Sequence, residues 1–485
     1  MNKPVCRAAK TSSLAALLLI FCMSAAQAVK PLYEERPFSA PVIQAFKQAG
    51  IDPKDVTAYA EPLPPFTTRR PHSYSMGGDA LANPASVTKV FTTGLALDKL
   101  GPTYRFKTDF QALDKPVDGV LNGSLYIRGN GNPAFKTSDL WSALRQLRSD
   151  GLTTINGDVV LDRSAFKPVK DDDAPGDSDE FDDDAPYRAY HAQPDALLLN
   201  YGAMSLNIVP GQGGVKVVGQ EAPAHWAFVS EMRLVQGGCG AWKNGLSVDY
   251  RKSGGDVVVT VKGNYPARCG ESRLPIRIPN QDWLWESWFR EIWTELGGQF
   301  KGRVLTGTTP SGALSLYAVY SDPLSDLIKL MNKYSSNVMA RHLELAVTGP
   351  AGDFNQIMKG WLASNDIRNT DWVFENGSGL TRNNRIDARG LTDYLAYMAT
   401  RSDFPDFLAS LPHAGVDGTL YRHVKNIDGY GYLKTGSLNG VKTIGGYVRD
   451  VNGQWWAVGV MVRSPKAYAA WKPIENLLET LYQKD

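Results

Sequence analysis

The chain has 485 residues, 43% hydrophobic and 21% charged, an ordinary globular composition that excludes a disordered or collagen-like protein. Its 52 basic and 50 acidic residues nearly cancel, so there is no dominant basic footprint for nucleic acid. At about 100–200 residues per domain, the length fits two to four domains, or one enlarged by insertions. The chain opens with Lys3, Arg7 and Lys10, then an apolar run over 14–26, then Ala26-Gln27-Ala28. That pattern is a secretory signal peptide, and its apolar run is short for a membrane span. Cleavage after Ala28 removes three basic residues and no acidic ones, leaving 457 residues of net charge −1. The expected location is the periplasm, with at most peripheral membrane association.

Residues 55–60 read as a short strand and 63–76 as loop. A strong helix follows over 85–100, with Asn83 as N-cap, Pro84 in the first turn and Gly101 as the stop. From 104 to about 306 strand-like runs recur at 124–128, 157–161, 215–218 and 256–261, separated by turn residues, with a helix at 138–149. Within this stretch lie nine acidic residues in fourteen, Asp171 to Asp184. An EF-hand spacing is missing there, so a solvated loop is preferred to a calcium site. Trp283, Trp285, Trp288 and Trp293 fall in a helical run whose place is core packing rather than a nucleic-acid groove. Two cysteines, Cys6 and Cys22, leave with the signal. Cys239 and Cys269 remain, and an even pair in an exported chain favours one disulfide over two buried thiols. From 321 onward helices are expected at 323–348, 354–365 and 387–400, then strands at 443–449 and 454–462, then a helix over 467–482. Six histidines without paired spacing give no metal site, and no cofactor motif is present.

Three short motifs carry chemistry. In Ser86-Val-Thr-Lys89 the hydroxyl and amine share one helix face at i and i+3, near the N-terminal N–H groups. A serine hydroxyl needs a base to become a nucleophile. Lys89 serves only if burial and a nearby positive charge lower its pKa. A second SxxK, Ser164 to Lys167, has no helix to align it. Ser335-Ser-Asn337 sits at an interhelical turn, where Ser335 can relay a proton and Asn337 can hold a substrate amide. Lys434-Thr435-Gly436-Ser437 enters a strand, where glycine allows close approach of substrate. The N–H groups of Ser86 and Ser437 would form an oxyanion hole.

In this order the three motifs resemble those of penicillin-binding proteins and class A β-lactamases. Further segments resemble the D-alanyl-D-alanine carboxypeptidase/endopeptidase family, the class C low-molecular-mass penicillin-binding proteins. They are Asn83 to Lys89, Leu125 to Pro133, Pro194 to Asn200, Asn376-Gly-Ser-Gly-Leu380, and Lys434 to Val441 with Gly446-Tyr447. The separation of 249 positions from Ser86 to Ser335 matches the members of this fold that carry inserted domains. The resemblance implies an α+β transpeptidase-like fold, an antiparallel sheet with flanking helices, carrying inserted β-rich domains. The implied division is signal peptide 1–28, catalytic parts 29–103 and 311–485, and insert 104–310.

It also implies a serine D-Ala-D-Ala carboxypeptidase, sensitive to β-lactams and active as an endopeptidase on cross-linked peptidoglycan peptides. Ser86 would attack the penultimate D-Ala, and Lys89 would be the base. Ser335 and Lys434 would return the proton to the leaving amine. Asn337 would position the acyl chain, and Lys434, Thr435 and Ser437 would bind the terminal carboxylate. Asn132, Ser336 and Asn376 depart from acidic residues common in the family, which bears on substrate preference. The alternatives are a β-lactamase or esterase of the same fold and a non-catalytic wall-binding protein. A Ser-His-Asp hydrolase lacks its G-x-S-x-G elbow.

Overall fold

The computed structural model describes residues 34–68, 71–166, 185–349 and 352–483. The expected signal peptide, the acidic run and Lys167 lie outside them. The central sheet has six strands in the order Glu34–Pro37, His72–Met76, Val56–Pro62, Trp455–Arg463, Val441–Arg449 and Gly431–Leu438. All neighbours are antiparallel except the first pair. Both ends of the chain therefore build one sheet, and its edge strand Gly431–Leu438 carries Lys434 to Ser437.

Alternation along the strands divides the core in two, because successive side chains point to opposite faces. Tyr59, Ala457, Met461 and Tyr447 pack under six helices: Thr88–Leu100, Leu324–Tyr334, Asn337–Thr348, Phe354–Ser364, Ala388–Ala399 and Phe404–Ser410. Ala58, Ala60, Val458, Val460 and Ile444 face the other way, with residues of Ala40–Gln48 and Trp471–Tyr482. The helix after Ser86 is buried over most of its length, from Thr88 to Leu97. That central position fixes the groups at its start.

A third core lies in the intervening stretch. It joins a five-stranded sheet, Val304–Gly307, Val159–Asp162, Leu125–Gly129, Lys107–Ala112 and Leu314–Tyr320, to smaller sheets. Trp285 and Trp293 of Gln281–Glu295 are fully buried in it, and Trp283 and Trp288 pack against it. Cys239 and Cys269 are joined in a disulfide. Leu314–Tyr320 pairs with Lys107–Ala112, so this sheet extends past the expected boundary at 310.

Ahead of and at the nucleophile turn, two further expectations need correction. Residues 72–76, expected as loop, form a strand, because pairing with both Glu34–Pro37 and Val56–Pro62 overrides a polar, half-buried sequence. The expected helix at 85 starts as a 3-10 turn, Ala85–Val87, and becomes α-helical only at Thr88. Ala85 has φ 46°, which breaks the helical path, and Asn83 Oδ1 accepts from the Ala85 N–H at 2.8 Å. The stop at Gly101, with φ 81°, is where the glycine placed it.

Candidate active site

Ser86 lies in the 3-10 turn and Lys89 in the first α-turn after it, so the i, i+3 relation brings Lys89 Nζ to 3.0 Å from Ser86 Oγ. Two chain-distant groups complete the surroundings of this amine: Asn337 Oδ1 at 2.7 Å and the Ser378 carbonyl at 2.6 Å. Asn337 Nδ2 donates to the Tyr190 carbonyl at 3.1 Å, which fixes the amide so that its oxygen faces Lys89. Lys89 is 0% exposed. Burial, and secondly the charge of Lys434, hold its amine well below the ordinary lysine range. A neutral amine has two N–H donors and one lone pair. In that form the Asn337 and Ser378 oxygens would accept its two protons, and the lone pair would be left for the Ser86 hydroxyl.

Ser335 ends Leu324–Tyr334 with φ 58°, and Ser336 caps the next helix by accepting from the Met339 N–H at 3.4 Å. This left-handed break is why the expected 323–348 helix is two helices. It turns Ser335 Oγ to Lys434 Nζ at 2.9 Å, while Asn337, two residues on, meets Lys89. Lys434 also donates to the Thr435 carbonyl at 2.7 Å, and burial brings its pKa down to about 7. Two fully buried lysines therefore flank the serines, one on each.

Gly436 runs against the nucleophile turn. A Cβ there would lie 2.8 Å from the Pro84 carbonyl and 2.9 Å from the Ser86 nitrogen, so only glycine permits the approach. Thr443 Oγ1 ties the neighbouring strand to the Pro84 carbonyl at 2.8 Å. Beyond Gly436, Thr435 Oγ1 donates to Thr419 Oγ1 at 2.8 Å, and Ser437 Oγ accepts from Lys442 Nζ at 2.6 Å. All the motif residues named from the sequence thus belong to one constellation.

The sequence reading did not single out the carbonyls of Ser378 and Tyr190, nor Thr419 and Lys442. Asn376 Oδ1 gathers the Ser378 N–H, the Ser378 hydroxyl and the Gly379 N–H at 3.0, 2.8 and 3.0 Å, holding the turn that aims the Ser378 carbonyl. The Asn376-Gly-Ser-Gly pattern marks that turn in the sequence; a backbone carbonyl from Tyr190 carries no such signal. Among the described residues no His/Cys/Asp/Glu group is arranged to hold a metal.

A family model described as the D-Ala-D-Ala carboxypeptidase 3 (S13) family matches residues 68–481. The chain belongs to that family. Two curated relatives of the S13 chain are each 28% identical to it. D-alanyl-D-alanine carboxypeptidase DacB of Haemophilus influenzae aligns over 76% of this chain and 78% of its own length. D-alanyl-D-alanine carboxypeptidase of Actinomadura sp. (strain R39) aligns over 79% of this chain and 73% of its own. The crystal structure of penicillin binding protein 4 from Haemophilus influenzae shares the S13 fold. It has a TM-score of 0.75 and 24% identity, and the match covers 92% of this chain and 99% of that one.

Proposed function

We propose that this S13 chain hydrolyses D-Ala-D-Ala peptide bonds of peptidoglycan stem peptides through an acyl-enzyme on Ser86. The observation that carries this reading is the buried Lys89 amine, 3.0 Å from Ser86 Oγ and held there by Asn337 Oδ1 and the Ser378 carbonyl. Lys89 takes the Ser86 proton as Oγ adds to the carbonyl of the penultimate D-Ala. The Ser86 and Ser437 N–H groups stabilise the oxyanion. The C–N bond breaks, and the Ser335 hydroxyl, replenished from Lys434, protonates the leaving amine. Water then hydrolyses the ester: the proton lost by the water passes through Ser335 to reload Lys434, and Lys89 returns its proton to Ser86 Oγ as the ester C–O bond breaks. Asn337 positions the acyl chain, and Thr435 and Ser437, across the close approach that Gly436 allows, bind the terminal carboxylate. A cross-linked peptide is cleaved by the same steps, and a β-lactam acylates Ser86 as a substrate mimic.

The chain is proposed to be exported to the periplasm by residues 1–28. Residues 29–103 and 311–485 would form the catalytic part around the insert of 104–310, with Leu314–Tyr320 pairing into the inserted sheet. No helix among the described residues is long and apolar enough to cross a membrane.

Fluorescent penicillin tests the nucleophile. The wild-type chain is expected to be labelled covalently and the Ser86→Ala variant not at all; labelling of the variant would overturn the mechanism. Monomeric and cross-linked muropeptides then separate the two activities. D-Ala release from monomers together with scission of dimers supports both, while release from monomers alone rejects the endopeptidase part.

A further inference from the structure

The hairpin that follows Ser437 is surrounded by cations. Lys442 opposes Ser437 in the antiparallel register, on the face of Trp471, and Arg463 opposes Val441 on the next strand, on the face of Met461. From the loop below the nucleophile turn, Arg382 Nη1 donates to the Asn439 carbonyl at 3.0 Å, and Arg385 Nη1 donates to the Arg382 carbonyl and to that of Asn384, the latter at 2.7 Å. That loop is fixed to the catalytic turn, since Asn83 Nδ2 donates to the Thr381 carbonyl at 2.9 Å and Asn384 Nδ2 to Thr88 Oγ1 at 3.0 Å.

Like charges gathered at one hairpin end repel unless anions neutralise them. Among the described residues none of Lys442, Arg385 and Arg463 has a carboxylate at ion-pair distance; Lys442 instead has the Ser437 hydroxyl and the Trp471 ring, 5.1 Å from its centroid. Burial, and then the charge of Arg463, hold the Arg385 guanidinium below its ordinary range, and burial does the same to the Lys442 amine. The exposed surface of Arg463 leaves this cationic lip open to solvent and to substrate.

We propose that Arg385 and Arg463 form an anion-binding lip on the leaving-group side of the cleft, which favours cross-linked stem peptides over substrates that release a single D-Ala. The inference rests on the reading above, in which Thr435 and Ser437 hold the carboxylate of the leaving residue. The hairpin tip just beyond Ser437 then lies where the rest of a leaving peptide extends. A lone D-Ala ends at its own carboxylate, whereas the departing half of a cross-link carries several. Only the second can use cations past Ser437.

The test compares the purified full-length mature chain with Arg463→Glu and Arg463→Lys, because Arg463 is exposed and outside the proposed catalytic groups. Cleavage of a cross-linked muropeptide dimer by Arg463→Glu is expected to fall about fivefold or more in kcat/KM, the scale of reversing an exposed charge contact. D-Ala release from the monomeric pentapeptide, and the rate of penicillin labelling, are expected to stay within about twofold. Arg463→Lys keeps the charge and is expected to keep dimer cleavage. Higher ionic strength should narrow the wild-type preference for the dimer. Equal losses on both substrates, no loss on either, or a wild-type chain that leaves the dimer intact would each overturn the proposal. Failure of the mechanism is a separate result, read from labelling of Ser86→Ala.

Discussion

At the scale of single residues, the structure buries ionisable groups whose protonation burial itself decides. Lys89 and Lys434 have depressed amine pKa values for this reason, which suits a base and a proton relay beside two serines. Glu61, on Val56–Pro62 and 4% exposed, goes the other way. Burial, then the charge of Asp393, raises its carboxyl to about 8, against the opposing pull of Thr392 and Arg389. The folded chain therefore keeps a proton that the unfolded chain loses above 4.5. The stabilisation from that proton is complete below 4.5 and is lost as pH rises through about 8. Glu61→Gln is expected to raise the Tm relative to wild type at about pH 9 and to leave it unchanged at about pH 4. Each kcal/mol regained would appear as about 2–4 °C. A thermal melt series over pH checks it, and an equal shift at both ends would overturn it.

At the scale of elements, the site is held by backbone conformations that bend chain into place. Ser335 in the left-handed region splits two helices so that neighbouring residues reach different lysines. Gly379 does comparable work beneath the nucleophile. Its φ is 75°, and an added Cβ would fall 1.9 Å from the Ala85 carbonyl oxygen, a backbone atom that cannot yield cheaply. Gly379→Ala is expected to slow penicillin labelling by about tenfold or more, because displacement of the Ser86 turn spoils the reacting geometry. Gly429→Ala is the control, since that glycine has φ 79° but nothing near its Cβ. It carries the backbone strain of about 1–3 kcal/mol without the clash, and labelling should persist. Equal labelling by the two variants would show that the Ala85 contact does not position Ser86.

The motif elements were legible in the sequence to different degrees. The Ser86–Lys89 pair depends on helical spacing over three residues, so it could be read locally. The 3-10 start could not, because it depends on Asn83 bonding both to Ala85 and to distant Thr381. The strand at His72–Met76 was missed because its only support is pairing with other strands.

At the scale of the molecule, three cores share one chain, and the disulfide belongs to the inserted one. Cys239 and Cys269 lie 30 residues apart, next to sheets packed on that core. Closing a loop of this length stabilises by about 3–4 kcal/mol in the chain-entropy account. Reduction is therefore expected to lower the unfolding temperature of the insert while penicillin labelling of Ser86 persists below that transition. Calorimetry with parallel labelling, with and without reductant, checks this. Labelling lost at a temperature where the reduced chain is still fully folded would mean that the bridge supports the catalytic groups directly.

The insert also reaches the catalytic groups. Tyr190 accepts from Asn337. The Asp195 N–H donates to His342 Nε2 at 3.3 Å, and Nδ1 of that buried ring lies 2.9 Å from the Gly131 carbonyl. Burial lowers the His342 pKa to about 4, so the ring is neutral, with Nδ1 as the donor.

The sequence by itself determined the export pattern, the cysteine pair, the order of SxxK, SxN and KTG, and the long gap that implied an insert. These are local or countable properties of the chain. The tertiary structure alone decided which oxygens surround the Lys89 amine, that both lysines are buried deeply enough to shift, and that Arg385 and Arg463 come together near the hairpin past Ser437. Each of those depends on groups such as Ser86, Tyr190, Asn337, Ser378 and Arg463, which chain folding brings together from far apart. Short-range spacing can name a nucleophile and its base, but their charge states are set by everything packed around them.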